Sequence, residues 1–167
     1  MIFVILGSQK FQFNRLLKEI DDLIEQGDIN DKVFAQVGCS DYIPLNYEYK
    51  DFMENDAFNQ YVNKAELVIT HAGTSSIIRA LKSNKKVIAV ARLKQYNEHI
   101  SDHQLDIISQ FNQLRYIIGL RDVSQLKDAL KNLDKYTFDK YVSSTNNIIK
   151  IIEEFITSKG KDFTRNK

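Results

Sequence analysis

Two short polar turns in the sequence carry residues that are suited to holding phosphate groups. One is Gly7–Gln9, after the apolar run "MIFVIL", and the other is Gly73–Ser76, after "ELVIT". Glycine lets a ligand approach the backbone closely, and the free N–H groups at the start of a helix attract an anion. The hydroxyls of Thr74, Ser75 and Ser76 could add donors, although Thr74 or Ser75 could equally serve only to cap the helix. Two such turns facing one cleft would fit an extended diphosphate better than either turn alone.

A second group of polar side chains follows the apolar run "KKVIAVA". His99 and His103 are four residues apart, but no third and fourth ligand accompany them and Cys39 is not part of a paired motif, so we expect no metal site. Ser101 and Gln104 have the spacing of a helix capping box, with Ser101 as the N-cap. In the functional interpretation, His103 and Gln104 point into the cleft and contact hydroxyls or phosphate.

Two further charged or titratable side chains come directly after apolar runs. His71 stands beside Gly73 and could face a ligand or hydrogen-bond a neighbouring loop carbonyl. Arg92 could pair with a phosphate through two hydrogen bonds, or form an ordinary surface salt bridge. Arg79 falls one helical turn beyond the serines and could be only a solvated helix residue.

Several common catalytic motifs do not occur in the chain. The sequence has no G-x-x-x-x-G-K-[ST] loop, no G-x-G-x-x-G turn and no G-x-S-x-G elbow. It also has no Asp-x-Asp pair that could hold a divalent ion on a nucleotide-sugar. Helix ends and side chains would then have to neutralise a bound diphosphate.

The composition indicates one ordinary globular domain. The chain has 167 residues, a net charge of +1 and a single cysteine. The small net charge gives no reason to expect nucleic-acid binding. A single cysteine allows no internal disulfide and favours a reducing compartment. The apolar run at the start is too short to span a bilayer and lacks a basic flank, so it predicts a buried strand. We expect a cytoplasmic protein with one domain over residues 1–157 and a polar, frayed tail over residues 158–167.

Apolar runs alternate with segments of helical periodicity along the chain. This alternation predicts an α/β fold, a Rossmann-like parallel sheet with helices on both faces, whose ligand lies beyond the carboxyl ends of the strands. Near the end of the chain an amphipathic stripe predicts a further helix, which could pack on the core or dock onto a partner. The stripe consists of Ile148, Ile149, Ile152, Phe155 and Ile156.

The stretch "VITHAGTSSIIRALKSNKKVIAVAR…NEHISDHQ" resembles the signature of the glycosyltransferase family 28 C-terminal domain. "VILGSQKFQFNRLLKEI" and "AQVGCSDYIP" are similar to the first two strand ends of that family, and the resemblance covers about residues 1–120. The short chain is most similar to the single-domain, Alg13-like group, which includes exopolysaccharide or capsule subunits of the PssE and EpsF kind.

This resemblance implies the donor-binding half of a GT-B glycosyltransferase that is split across two chains. Ser8 would contact a phosphate, the Gly73 turn would line the diphosphate, His103 and Gln104 would meet sugar hydroxyls, and Phe52 or Met53 would lie near the uracil. The candidate substrate-binding residues are Gly7, Ser8, Phe52, Met53, His71, Gly73, Thr74, Ser75, Arg92, His99, His103 and Gln104. Two positions depart from the family pattern: Arg79 replaces a glutamate that holds the ribose, and Ala91 replaces the usual proline before Arg92.

The implied reaction moves a hexose, with galactose as the first choice and glucuronate and N-acetylglucosamine as alternatives, from a UDP-sugar to a lipid-linked oligosaccharide. It needs no cofactor or metal, inverts the anomeric centre and serves exopolysaccharide or capsule synthesis. An Alg14-like, membrane-anchored partner would supply the acceptor half and the general base, and would bring this chain to the cytoplasmic face of the membrane. The alternative is a non-catalytic nucleotide-binding or assembly subunit that only docks a membrane partner.

Overall fold

A six-stranded sheet forms the centre of the molecule, in the order β3-β2-β1-β4-β5-β6, and all neighbouring strands are parallel. The computed structural model describes residues 1–143, 149–150 and 152–153. The strands are β1 (Ile2–Ile5), β2 (Val33–Gln36), β3 (Glu48–Lys50), β4 (Leu67–His71), β5 (Lys86–Val90) and β6 (Ile118–Leu120). The predicted parallel sheet is confirmed.

Helices cover both faces of this sheet, as the sequence predicts. Helices α1 (Asn14–Glu25) and α5 (Leu126–Lys131) pack on one face, against Ile2 and Val4 of β1. On the other face lie α2 (Asn55–Lys64), α3 (Thr74–Lys82) and α4 (Gln104–Gln113), against Phe3 and Ile5. The strands β1, β2 and β4 are buried along their whole length, which explains why their sequences are almost continuously apolar.

The connections between the strands place a crevice between β1 and β4. The chain moves outward from β1 to β2 and β3, and then returns to pair β4 with the other side of β1. Loops on either side of this reversal leave in opposite directions, so a gap opens at the carboxyl ends of the two strands. Gly7 follows β1, and Gly73 follows β4.

Helix α4 begins later than the sequence predicts, and the expected capping box is not formed. Ser101 is not the N-cap, because its Oγ lies 2.9 Å from Nδ1 of His103 and the helix starts at Gln104. Instead, Oε1 of Gln104 accepts a hydrogen bond of 2.9 Å from the backbone N–H of Arg92. A long-range contact to the end of β5 thus replaces the local cap.

The structure describes only a few residues near the end of the chain. Of the predicted apolar stripe, Ile148, Phe155 and Ile156 lie outside the described residues, as does the predicted tail over 158–167. Ile149 and Ile152 are described and exposed. Among the residues that the structure describes, none of the helices has the length and apolar character needed to cross a bilayer.

Candidate functional site

Two adjoining clefts open at the carboxyl ends of β1 and β4. Their volumes are about 240 and 260 Å³, and both are lined by the same four residues, Gly7, Ser8, Ser75 and Ser76. These shared residues are the two phosphate-suited turns of the sequence, brought face to face. One elongated ligand could therefore lie across both clefts, with its middle part between the turns.

The first cleft, which we name the aromatic cleft, is rich in apolar surface. Besides the shared residues it is lined by Ile5, Gln36, Phe52, Met53, Asn55, Phe58 and Arg79. The ring of Phe52 is 51% exposed, so a planar group could stack against it. No carboxylate is among the residues that line this cleft.

The second cleft, which we name the histidine cleft, is more polar. It is lined by Gln9, His71, Gly73, Thr74, His99, His103, Gln104 and Ile107 in addition to the shared residues. Imidazole, amide and hydroxyl groups of this kind can donate to and accept from sugar hydroxyls. Again, no carboxylate is among the lining residues.

The N-terminus of α3 lies between the two clefts. Its N-cap is Gly73, which has no side chain to cap the helix, so the first N–H groups of the helix are left for another acceptor. A capping role for Thr74 or Ser75 is not seen, because both belong to the helix itself. The helix dipole adds a partial positive charge at the same place, and the two effects together favour an anion.

His71 fills the space between the two glycine turns. Its Nδ1 lies 3.2 Å from the carbonyl oxygen of Ile5, and the residue is 8% exposed. A Cβ atom on Gly7 would come within 2.6 Å of His71 Cε1, and one on Gly73 would overlap His71 Nε2. Gly7 also has a φ of 74°, in the left-handed region that side chains disfavour. Both turns thus require glycine, because the imidazole ring occupies the space that a side chain would need.

Arg92 differs from its predicted role, because it lines neither cleft. Its side chain is 1% exposed, and Nη2 donates to the carbonyl oxygens of Leu6 at 2.8 Å and Phe11 at 3.0 Å. Those two carbonyls flank the Gly7 turn, so the guanidinium braces the turn from behind instead of contacting a phosphate. Burial lowers the pKa of Arg92 to about 10, opposed by the charge of Glu98, and the group stays protonated at pH 7. Among the described residues, Nε has no hydrogen-bond partner.

The two histidines of the 99–103 segment lie against each other at the wall of the histidine cleft. Their ring centroids are 4.6 Å apart, and the ring of Phe11 lies 4.8 Å from that of His99. Burial, and then the neighbouring His103, lower the pKa of His99. The described part of the chain contains no group of three or more side chains placed to hold a metal ion.

Arg79, which departs from the family pattern, lies in the aromatic cleft. Its Nε and Nη2 donate to Oδ1 of Asn59 at 3.1 and 2.6 Å, and its guanidinium lies 4.1 Å from the centre of the Phe58 ring. Two neutral side chains of helix α2, Asn59 and Phe58, therefore hold the Arg79 guanidinium in the cleft that Phe52 and Ser76 also line. A cation in this position can donate to hydroxyl, carbonyl or anionic oxygens of a ligand.

Eleven of the twelve candidate residues line one or both clefts, and Arg92 is the exception. The candidate list leaves out Ser76, which lines both clefts. It also leaves out Ile5, Gln36, Asn55, Phe58 and Arg79 of the aromatic cleft, and Gln9 and Ile107 of the histidine cleft. The sequence could have identified Gln36, since it is a polar residue at the end of an apolar strand, and the structure buries it. Ile107 carries none, because it reads as an ordinary apolar position of a helix.

A larger cavity lies at the opposite end of the sheet. Its volume is about 600 Å³, and Ile2, Asp31, Glu66 and Lys86 are among the residues that line it. Ile2 and Lys86 are the first residues of β1 and β5, and Asp31 and Glu66 belong to the loops that precede β2 and β4. Ligands of open parallel sheets bind at the carboxyl ends, and the phosphate-suited turns lie there, so the two smaller clefts are the better candidates.

Comparison with known proteins gives the family. A model of the glycosyltransferase family 28 C-terminal domain matches residues 1–158. The chain belongs to this family. It is 32% identical over 99 residues to the UDP-N-acetylglucosamine transferase subunit ALG13 of Candida albicans, a match over 59% of this chain and 32% of that protein. It is 30% identical over 107 residues to the protein of the same name from Candida glabrata, covering 64% and 50% of the two chains.

Solved structures of glycosyltransferases share the fold. MurG from Acinetobacter baumannii superposes with a TM-score of 0.53 over 79% of this family 28 chain and 40% of MurG, at 15% sequence identity. This similarity concerns the fold, and it confirms the predicted Rossmann-like half of a GT-B glycosyltransferase. The chain spans about a third to a half of the length of the two curated relatives.

Proposed function

We propose that one UDP-sugar binds across the two clefts, with the uracil in the aromatic cleft, the diphosphate between the glycine turns and the sugar in the histidine cleft. The observation that carries this proposal is the set of four residues, Gly7, Ser8, Ser75 and Ser76, that both clefts share. They surround an uncapped helix N-terminus, where an anion is favoured. The exposed ring of Phe52 suits a base, and the polar wall of the histidine cleft suits a sugar.

N-acetylglucosamine is the sugar that the relatives favour. The two Candida relatives are named as UDP-N-acetylglucosamine transferase subunits. Galactose, which the resemblance to capsule subunits suggests, and glucuronate, an alternative to it, have no comparable support. A role of this chain in exopolysaccharide or capsule synthesis has no such support either. We therefore place N-acetylglucosamine first.

The chain acts in this proposal as one subunit of a two-chain, inverting glycosyltransferase. A hydroxyl of a lipid-linked saccharide attacks the anomeric carbon, the bond from that carbon to the diphosphate oxygen breaks, and the electron pair leaves with UDP. A general base takes the proton of the hydroxyl. Because the described residues that line the two clefts include no carboxylate, we assign the base to an Alg14-like partner, which would also provide the membrane attachment. The name of the relatives as subunits supports a partner.

Calorimetric titration with UDP, UDP-N-acetylglucosamine and UDP-galactose tests the site. In the Ser75→Asp variant, a carboxylate at the start of α3 would repel the diphosphate while it interacts favourably with the helix dipole. We expect UDP binding to weaken by at least about tenfold with no loss of thermal stability. Ser83→Asp adds the same charge at the other end of α3 and serves as the control, with binding close to that of the wild type.

Equal binding by the Ser75→Asp variant and the wild type would contradict the proposed site. Transfer of radiolabelled sugar in the presence of the partner then separates the glycosyltransferase from the alternative, a non-catalytic nucleotide-binding or assembly subunit. Binding without transfer, with the partner and a lipid-linked acceptor present, would favour that alternative.

A further inference from the structure

The ring of His71 has its two nitrogens in different environments. Nδ1 lies 3.2 Å from the carbonyl oxygen of Ile5, at the end of β1. Oγ1 of Thr70 lies 3.4 Å from the same nitrogen, but its hydroxyl donates to the carbonyl oxygens of Ile5 and His71. Since a carbonyl oxygen can only accept, Nδ1 carries the proton in the contact with Ile5. The other edge of the ring, Cε1 and Nε2, faces the turns at Gly7 and Gly73, where the residue lines the histidine cleft.

The surroundings keep this ring neutral when the cleft is empty. Burial, and then the nearby positive charge of Arg92, lower the pKa of His71 to about 4. His99 acts in the same direction, whereas the hydrogen bond to Ile5 raises the pKa. His103 lies further out in the same cleft, next to His99. Among the described residues that line the histidine cleft none is a carboxylate, so this part of the chain places no anion beside His71 there.

A neutral Nε2 is in conflict with a diphosphate between the turns. Its lone pair would face phosphate oxygens, which are also acceptors, and two acceptors without a proton between them repel each other. A proton on Nε2 removes this repulsion and replaces it with a charge-assisted hydrogen bond. The negative charge of the ligand provides what the empty cleft lacks, because a nearby anion favours the charged form of an imidazole.

We propose that His71 takes up one proton from solvent when the diphosphate of a UDP-sugar binds, and then donates Nε2–H to a phosphate oxygen. This inference rests on the proposed function and deepens it. During transfer, the bond from the anomeric carbon to the diphosphate oxygen breaks and the electron pair stays on UDP, whose negative charge increases by one. The imidazolium is then already in place to stabilise that charge, and its proton returns to solvent when UDP leaves.

Nitrogen-15 NMR of the imidazole rings tests the proposal on the full chain at pH 7. The chain has only three histidines, so their ring signals can be resolved and assigned individually. Without ligand we expect His71 as the neutral tautomer with its proton on Nδ1. With saturating UDP-N-acetylglucosamine we expect both nitrogens of His71 to be protonated. A His71 ring that remains neutral in the complex would overturn the inference.

Calorimetry in buffers of different ionisation enthalpy counts the protons. A UDP-sugar is the right probe, because both of its phosphates are esterified, whereas a terminal phosphate titrates near about 6. We expect close to one proton to be taken up by the wild type, and an affinity that rises by up to about tenfold per pH unit as the pH falls toward about 5.

The His71→Gln variant is the matched comparison. The glutamine amide can donate from nearly the same place as Nε2 without a proton from solvent, but without the positive charge, so we expect weaker, still measurable binding in which proton uptake and its pH dependence disappear. Undiminished proton uptake by this variant would overturn the inference and leave the proposed site intact. A wild type that binds neither UDP nor any UDP-sugar would overturn the proposed function, and the inference with it.

Discussion

At the scale of single residues, the site is shaped by side chains that lie behind it as much as by those that line it. His71 sets the space between the turns at Gly7 and Gly73. Arg92 holds the carbonyls of Leu6 and Phe11 on either side of the first turn. The shape of the proposed diphosphate site is therefore fixed by two buried cationic or titratable groups.

The burial of His71 predicts a specific loss of stability in acid. Its pKa is lowered to about 4 in the folded protein, below about 6.5 in an unfolded chain, so the unfolded state binds the proton first as the pH falls. We expect this residue to remove roughly 3 kcal/mol of the free energy of unfolding between pH 7.5 and pH 4. Urea denaturation of the ligand-free protein across this range measures it.

The His71→Gln variant separates this effect from that of the other titrating groups. All other groups contribute to both proteins, so the difference between their stability curves isolates His71. The curves should converge or cross as the pH falls, because only the wild type loses the contribution of a neutral, buried imidazole. Curves that stay parallel from pH 7.5 to pH 4 would show that His71 is not held neutral.

The residue types of the site were largely predictable from the sequence, but the direction of each side chain was not. Small hydroxyls after a glycine at a strand end favour an anion site whatever the surrounding packing, and Ser8 and Ser75, which this pattern selects, both line the clefts. Arg92 follows a strand in the same way, yet it turns inward, because the carbonyls of a distant loop are available as partners. Contacts between residues 80 or more positions apart leave no local signal.

At the scale of elements, unbroken apolar runs in the sequence predict the central strands well. Capping patterns in the sequence predict the first residues of helices less well. Strands β1, β4 and β5 occur where the sequence has unbroken apolar runs. Strand β3 is only three residues long, and all three residues are exposed to some degree, since an edge strand has fewer packing demands. The start of α4 was misplaced, because Gln104 bonds Arg92 instead of capping its own helix.

One buried ion pair fastens the wall of the histidine cleft to α1. Glu98, beside His99, is 0% exposed and accepts from Nε of Arg15 at 2.7 Å and from Nη2 at 2.9 Å. Arg15 also lies 2.9 Å from Asp122 and 3.8 Å from the centre of the Tyr96 ring. The segment that carries His99 therefore depends on an element from the far side of the sheet.

Replacing Arg15 with methionine should destabilise the fold strongly. The substitution leaves the carboxylate of Glu98 buried, with the backbone N–H of Leu93 as its remaining hydrogen-bond donor among the described residues and only the nearby charge of Arg92 to offset its own. Removal of one member of a buried pair costs about 3–5 kcal/mol, to be measured as the free energy of unfolding in urea at pH 7.

The Arg115→Met variant provides the control, because it removes the same kind of side chain from an exposed pair with Asp139. We expect it to cost less than about 1 kcal/mol. Similar losses for the Arg15 and Arg115 variants would mean that the pair with Glu98 has no special structural role.

At the scale of the whole molecule, the site follows from topology. The two turns belong to strands that are 60 or more residues apart in the sequence, and they meet because β1 and β4 are neighbours at the point where the strand order reverses. Among the described residues, those that line the two clefts include no carboxylate. A second chain that contributes a base and an acceptor would complete such a half-site, in line with the two-subunit proposal.

The central claim, that a UDP-sugar lies across the two clefts, is tested most directly by amide NMR during a titration with UDP-N-acetylglucosamine. We predict that the largest shift changes fall on the backbone amides of Gly7, Ser8, Thr74, Ser75 and Ser76, followed by Phe52 and His103. Changes centred on Asn84, Lys85 and Lys86, which line the larger cavity at the amino ends of the strands, would contradict the claim, and so would the absence of any change at saturating ligand.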